Sequence, residues 1–151
     1  SVAETLRRAA ETLPEIELLV VFGSLARGVE KARSDVDVGV RLRNQSSAAR
    51  RAVELALGRA LRREVDVVHL DEAPPLLRFQ IARDGVLIRE TVPQAWADFR
   101  ARAMVDWWDW APRFEGSMMR VSGDCASRLA MVSLTGAMRE FLSAVAREAG
   151  L

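Results

Sequence analysis

Two aspartates interrupt an apolar stretch of this sequence, and their spacing is that of metal ligands. Asp35 and Asp37 stand in DVDVGVRL, residues 35–42, which alternates as a β-strand does. Residues two apart in a strand project to the same face, so the two carboxylates lie together while Val36 and Val38 turn toward the core. Like charges at this distance repel each other unless a cation lies between them. Their oxygens suit Mg²⁺, which keeps other coordination positions for water and for substrate phosphates.

A third acid occurs in a later apolar segment, EVDVVHL, residues 64–70, where Asp66 is flanked by valines. If this segment is a strand beside residues 35–42, its carboxylate joins the first two. Three carboxylates can hold two metal ions along the path of an in-line displacement at phosphorus. Unpaired charges in apolar strands are costly, which favours a function for the set over a structural accident. We interpret His69, in the same segment, as an ordinary strand histidine.

Gly23 and Ser24 lie directly after IELLVVF, residues 16–22, a predicted buried strand, and ten residues separate Ser24 from Asp35. Glycine lets the backbone come close to a ligand, and the start of a helix offers free N–H groups to phosphate. Ser24 adds a hydroxyl donor. Arg27 has two open interpretations, contact with phosphate or a solvated helix position. The sequence therefore predicts a triphosphate-binding turn beside the carboxylates that hold the metal.

The elements that must position these residues predict an α/β (α+β) fold, with a small mixed sheet of about four strands flanked by helices. VLIRE, residues 86–90, supplies the fourth strand. Predicted helices lie before Pro14, after the N-cap candidates of NQSS, from Pro74 and Pro75, and from Pro93 as a first helical position.

The last predicted helix carries two apolar stripes. One consists of Trp96, Phe99, Ala103, Trp107 and Trp110, and the other of Ala101, Met104 and Trp108. A helix packed on one sheet face needs a single stripe about 100° wide. Two interpretations of the second stripe stay open, cover by the tail of the same chain or a partner or dimer interface at Trp108.

A Gly/Ser-containing break from Gly116 to Gly123 predicts a boundary between a domain over residues 1–115 and a helical C-terminal extension over residues 116–151. The extension has its own apolar stripe of Met131, Leu134, Met138, Phe141, Leu142 and Val145. The oligomeric state is left open by these patterns.

Composition excludes several classes of protein. Of the 151 residues, 22 are Lys or Arg and 21 are Asp or Glu, and the net charge of +1 gives no footprint for strong nucleic-acid binding. The single Cys125 excludes an internal disulfide and a Cys-rich zinc site, and the lone His69 disfavours a histidine metal site. Apolar runs are too short to span a bilayer and no signal-peptide pattern appears, so we expect a cytoplasmic protein with no membrane partner.

The combination of Gly-Ser, ten residues, D-x-D and a later in-strand acid resembles the nucleotidyltransferase superfamily related to DNA polymerase β. The fuller GSLARG and SDVDVGV segments look like its minimal nucleotidyltransferase (MNT) branch, and the resemblance covers about residues 1–92. It implies Gly23 and Ser24 at the triphosphate, and Asp35 and Asp37 as metal ligands. It implies Asp66 as both a metal ligand and the activator of the attacking hydroxyl. Arg27 is a further candidate for nucleotide binding, from its position in the sequence alone.

The resemblance also implies a function. Members of this branch often act as antitoxins for HEPN-domain ribonuclease toxins, transferring AMP from ATP to a toxin tyrosine with Mg²⁺ or Mn²⁺ as the cofactor. The implied activity is that of a protein adenylyltransferase whose AMPylation of the toxin silences it. Two alternatives stay open, an MNT-fold antitoxin that neutralises its toxin by binding alone, and a nucleotidyltransferase acting on a small-molecule antibiotic.

Overall fold

The computed structural model describes residues 1–28 and 35–118. Its elements in chain order are α1 (Val2–Glu11), β1 (Ile16–Phe22), α2 (Gly23–Ala26), β2 (Val36–Leu42), α3 (Ser47–Leu61), β3 (Val65–His69), α4 (Pro75–Asp84), β4 (Val86–Glu90) and α5 (Ala95–Met118). This alternation of helices and strands confirms the predicted α/β class. In the described ranges no helix is both long enough and apolar enough to cross a membrane.

The four strands form one mixed sheet in the order β3-β2-β1-β4. Strand β1 pairs antiparallel with β2 and β4, while β2 and β3 run parallel. The predicted adjacency of the strands that carry Asp37 and Asp66 is therefore confirmed. It follows that β1 ends, and β2 and β3 begin, at the same end of the sheet.

The sheet is buried on both faces, so the fold has three layers. Helices α1 and α3 cover one face, where valines of β2 pack with Leu6, Leu57 and Leu61. Helices α4 and α5 cover the other, where Leu18 and Val20 of β1 contact the second core cluster. Both faces of β1 are apolar over residues 18–22 for this reason, which explains the unbroken hydrophobic run LLVVF after Glu17.

Helix α5 packs its predicted aromatic stripe inward. Phe99, Ala103 and Trp107 are buried, and the Trp107 ring stacks on Phe79 of α4 at 5.1 Å between centroids and lies 5.2 Å from the Trp110 ring. The stripe is therefore confirmed as the contact between α5 and the rest of the domain.

The predicted start of this helix at Pro93 is wrong. Gln94 has a left-handed backbone with φ of 62°, which a continuing α-helix cannot accommodate, so α5 begins at Ala95. The Glu90 carboxylate accepts a hydrogen bond from the Trp96 N–H at 3.0 Å and satisfies a free donor of the first turn. The turn at residues 91–94 thus belongs to the connection from β4.

The predicted boundary between residues 115 and 116 does not coincide with a helix end, because α5 continues to Met118. Residues 119–151, with the apolar stripe predicted for the extension, lie outside the described residues. The division into 1–115 and 116–151 stays a prediction.

Candidate active site

Asp37 and Asp66 are direct neighbours in the sheet. Their Cα atoms are register partners on the parallel strands β2 and β3, so their side chains project to the same face. Val36 and Val38 are buried on the opposite face, as the alternation of β2 predicts. The two aspartates therefore lie on the α4/α5 side of the sheet, where these strands begin. Asp35 stands just before β2 and is exposed to solvent.

The three acids form one electrostatic cluster. Partial burial raises the pKa of Asp37, the negative charges of Asp66 and Asp35 raise it further, and the positive charge of Arg27 opposes them. Each of these charges must lie close to Asp37 to have such an effect. The structure thus brings together Asp35, Asp37, Asp66 and Arg27, all of which the sequence singles out.

Gly23 packs directly against Asp37 and leaves no room for a Cβ atom. Strand β1 ends at Phe22, the register partner of Asp37 on β2, and Gly23 follows with φ of +72°. A Cβ atom added at Gly23 would lie 3.1 Å from Asp37 Cγ and would overlap the Oδ2 oxygen. The short helix α2 begins at this glycine. Ser24 is half-buried there and Arg27, just after the helix, is exposed.

The donor set fits a hard divalent cation, since it consists of carboxylate oxygens. Burial, and after it the repulsion of Asp66 and Asp35, already raise the pKa of Asp37. Within residues 1–28 and 35–118, however, no three acidic or histidine side chains converge tightly enough to form a ready-made metal site. The carboxylates are neighbours on two strands and a preceding loop. Binding a cation would therefore require them to draw together.

The raised pKa gives a stability prediction. Asp37 binds protons more tightly in the folded state than in the unfolded chain, so its contribution to folding stability is present at low pH and lost as pH rises above the ordinary value of 3.8. We expect Asp37→Asn not to lose folding stability in this way in metal-free buffer, because its amide does not titrate. The melting temperature of the variant minus that of the wild type should therefore increase as pH rises from about 4 to about 7.

Calorimetric melts in EDTA across this pH range measure the difference. Asp71→Asn, at an exposed acid beyond the far end of β3, is the matched control and should track the wild type. A melting-temperature difference between Asp37→Asn and wild type that does not change with pH would contradict the prediction.

Comparison with known proteins adds a match over residues 4–94 to the family described as polymerase beta, nucleotidyltransferase. The chain belongs to this nucleotidyltransferase family. Among curated proteins no significant match is found.

Solved structures share the nucleotidyltransferase fold seen here. A toxin–antitoxin structure with AMP-PNP has a TM-score of 0.68 and 21% identity, covering 79% of this chain and 97% of the other. A chain from the tri-AMPylated Shewanella oneidensis HEPN toxin in complex with its MNT antitoxin has a TM-score of 0.63 and 20% identity, covering 80% and 95%. One from the MntA–HepT toxin–antitoxin has a TM-score of 0.62 and 20% identity, covering 80% and 96%. These likenesses confirm the predicted fold.

A charged surface groove of this nucleotidyltransferase is not predicted by any sequence pattern. A groove of about 1050 Å³ lies between α5 and the far ends of β2 and β3, away from the three acids. Its charged lining consists of Arg41, Asp71, Arg78, Asp98, Arg102 and Asp106, with Arg41 paired to Asp71 at 3.1 Å and Arg78 to Asp106 at 2.7 Å. These residues come from three elements and a loop, so no local pattern signals them.

Proposed function

We propose that this nucleotidyltransferase transfers AMP from ATP to a hydroxyl group of a protein acceptor, and that the acceptor is a HEPN ribonuclease toxin that the transfer silences. The proposal rests on the pairing of Asp37 with Asp66 on adjacent parallel strands and on the close packing of Gly23 against Asp37. A purely structural pair of acids would not need a glycine that leaves room for one of its carboxylates.

In this proposal Asp35, Asp37 and Asp66 would hold Mg²⁺ or Mn²⁺, which supplies charge stabilisation to the phosphates when bound. Gly23 and Ser24 would bind the triphosphate through backbone and hydroxyl donors. The side chain of Arg27, exposed and within electrostatic reach of Asp37, would reach phosphate oxygens with its guanidinium group.

The reaction is a substitution at the α-phosphorus of ATP. The acceptor oxygen forms a bond to that phosphorus while the bond to the bridging oxygen of the β-phosphate breaks, and pyrophosphate leaves. Asp66 accepts the proton of the attacking hydroxyl. Its exposed position on β3 leaves it open to an acceptor that approaches from outside, as a protein side chain must.

The choice of acceptor rests on what the structural relatives contain. One is a toxin–antitoxin with AMP-PNP, and another holds a tri-AMPylated HEPN toxin with an MNT antitoxin. This chain covers 97% and 95% of the matched chains, so it has room for the same catalytic unit. The described residues contain no second large domain that would select a tRNA or an antibiotic.

The position of the label tests the proposed reaction. ATP labelled at the α-phosphate, incubated with the protein, Mg²⁺ and either a purified HEPN toxin or a bacterial lysate, should label a protein band that mass spectrometry identifies as an AMP adduct. ATP labelled at the γ-phosphate should leave that band unlabelled, because pyrophosphate is released. Label that enters the band from the γ-position and not from the α-position would indicate phosphoryl transfer, with ADP as the leaving group, and would contradict the proposal.

Metal dependence gives a second measurement in the same system. Calorimetric titration with ATP should show binding that EDTA weakens by at least about tenfold, since the carboxylates repel the triphosphate unless a cation lies between them. Equal affinity with and without metal would exclude the proposed metal site. Toxin that is neutralised without any label would support an antitoxin acting by binding alone.

A further inference from the structure

Helix α3 carries exposed arginines on the side that faces away from the sheet. Its buried residues lie on the opposite side and belong to the core that α1 and α3 cover. Four exposed positions, the first three spaced by four residues and the last directly after the helix end, form what we call the cationic face: Arg51, Leu55, Arg59 and Arg62. Leu55 is 47% exposed. The cationic face therefore combines three positive charges with a central apolar side chain.

The three arginines of the cationic face have no acidic partner among residues 1–28 and 35–118. Two acids of the same region are engaged elsewhere. Glu72 accepts a hydrogen bond from Arg50 at 2.9 Å, and Glu54 lies 3.5 Å from His69 Nε2. The charge of the cationic face is therefore not neutralised by this part of the chain.

Helix stability does not explain Arg51. The N-terminal end of a helix favours negative charge, and its C-terminal end favours positive charge. The first turn of α3 contains no acidic residue, and Arg51 follows this turn, at the end of the helix where a positive charge gains nothing. Arg59, by contrast, lies in the last turn, where arginine is favourable. An arginine that neither pairs with an acid nor stabilises its own helix is available for a partner.

The cationic face leads toward the three acids of the candidate active site. Helix α3 connects the end of β2 to the start of β3, so it runs back toward the end of the sheet where these parallel strands begin. Arg62 precedes Asp66 by four residues. At a rise of about 1.5 Å per residue, Arg51 and Arg59 lie about 12 Å apart along the helix. A partner that binds along α3 therefore reaches the start of the strand that carries Asp66.

The chemistry of the cationic face suits an acidic protein surface better than a nucleic acid. Exposed Leu55 lies between the arginines, and arginines beside apolar side chains are typical of protein interfaces. The net charge of +1 gives the chain no general attraction for nucleic acid. The other parts of the chain do not supply the acidic complement, since residues 29–34 contain two basic and one acidic residue, and residues 119–151 contain four basic and three acidic residues.

We propose that the cationic face is the docking surface for the protein acceptor, which meets it with an acidic and partly apolar surface. Two acids about 12 Å apart, which is about two turns of a helix, would pair with Arg51 and Arg59, and an apolar side chain between them would cover Leu55. This inference rests on the proposed function for the identity of the acceptor. Docking here would speed the encounter and bring the acceptor hydroxyl toward Asp66.

Charge reversal in the whole chain tests the docking surface, with a purified HEPN toxin as the probe. Arg51→Glu combined with Arg59→Glu should weaken calorimetric binding of the toxin by at least about a hundredfold, because both close charge pairs become repulsive. Binding of ATP with Mg²⁺ should stay unchanged. The matched control is Arg89→Glu with Arg102→Glu, which makes the same change in charge on β4 and α5 and should bind the toxin within about threefold of the wild type, since charges that far away are screened by salt.

Arg51→Glu alone separates docking from stability. A negative charge toward the N-terminal end of α3 is favoured by the helix dipole, so the melting temperature should stay equal to that of the wild type or rise. Toxin binding should nevertheless weaken by about tenfold, because one charge pair becomes repulsive. A variant that binds the toxin as tightly as the wild type would overturn the inference.

Transfer of AMP, measured in parallel, distinguishes a failure of this inference from a failure of the proposed function. If transfer occurs, the double variant at Arg51 and Arg59 should raise the KM for the toxin and keep kcat, and an unchanged KM would overturn the docking surface alone. Toxin that binds through these arginines and is never labelled would support the docking surface and contradict the transfer.

Three further outcomes would overturn the inference. One is a wild-type protein that does not bind the toxin. The second is a double variant that loses binding to a fluorescent RNA oligonucleotide but keeps the toxin, which would assign the cationic face to nucleic acid. The third is a homodimer in light scattering that dissociates in the double variant while toxin binding is unchanged, which would assign the face to a second copy of the chain.

Discussion

Asp37→Asn should reduce transfer of AMP to the acceptor by about a thousandfold, which corresponds to about 4 kcal/mol of lost transition-state stabilisation. The amide keeps the shape of the side chain but removes the charge that would hold the cation between the strands. The fold should survive, because Asp37 is destabilised in the native protein by burial and by its acidic neighbours. The rate of labelling with α-labelled ATP measures the effect.

Asp71→Asn separates this result from a general loss of charge. It removes an equally negative side chain at the other end of the sheet, where the partner is Arg41, and should transfer AMP within about twofold of the wild type because exposed ion pairs contribute little. Wild-type labelling by Asp37→Asn would show that the three acids do not form the catalytic site.

Gly23→Ala should destabilise the protein by about 2–5 kcal/mol, for two separate reasons. An alanine at φ of +72° costs about 1–2 kcal/mol by itself. Its Cβ atom would also overlap Asp37 Oδ2, and forcing a packed side chain aside costs about 1–3 kcal/mol more. Because Asp37 is displaced, transfer should fall as well. Denaturant unfolding measures the first effect and α-label transfer the second.

Gly28→Ala isolates the backbone contribution. Gly28 has a similar φ of +69°, but nothing lies within 4 Å of a Cβ added there. Its cost should be about 1–2 kcal/mol with little change in transfer. In an Asp37→Ala background, Gly23→Ala should cost clearly less than in the wild type, since the overlapping oxygen is gone and only the Cβ atom of residue 37 stays close, at 3.3 Å. An equal cost of Gly23→Ala in both backgrounds would contradict the close packing of Gly23 on Asp37.

The sequence predicts where most of the candidate residues lie in the fold because the relevant patterns are local. Strand β1 is found at its predicted bounds, residues 16–22, and the alternation around Asp37 has the predicted phase. Predicting that Asp66 lies beside Asp37 requires the assumption that the strand of Asp66 is next to β2. Strand order depends on the crossover through α3 and not on local sequence.

The sequence could not predict features that depend on tertiary packing. Pro93 matches a helix start in composition, yet the left-handed Gln94 moves the start to Ala95. The close packing of Gly23 on Asp37 across the strand pair depends on tertiary structure and has no local signal, while the assignment of Gly23 to the triphosphate stays a prediction. The charged groove is assembled from residues as distant in sequence as Arg41 and Asp106.

The position of β3 in the sheet has a consequence for how the proposed enzyme would lose activity. Within the described sheet β3 pairs only with β2, yet it carries Asp66. Parallel pairing is slightly weaker per residue than antiparallel pairing, so the outer strand can open at a lower free energy than the rest of the domain. Such an opening would part Asp66 from Asp37 while both cores stay packed. On heating, activity would then be lost at a lower temperature than the one at which the domain melts. The free energy of the opening that inactivates the enzyme would be smaller than the free energy of global unfolding.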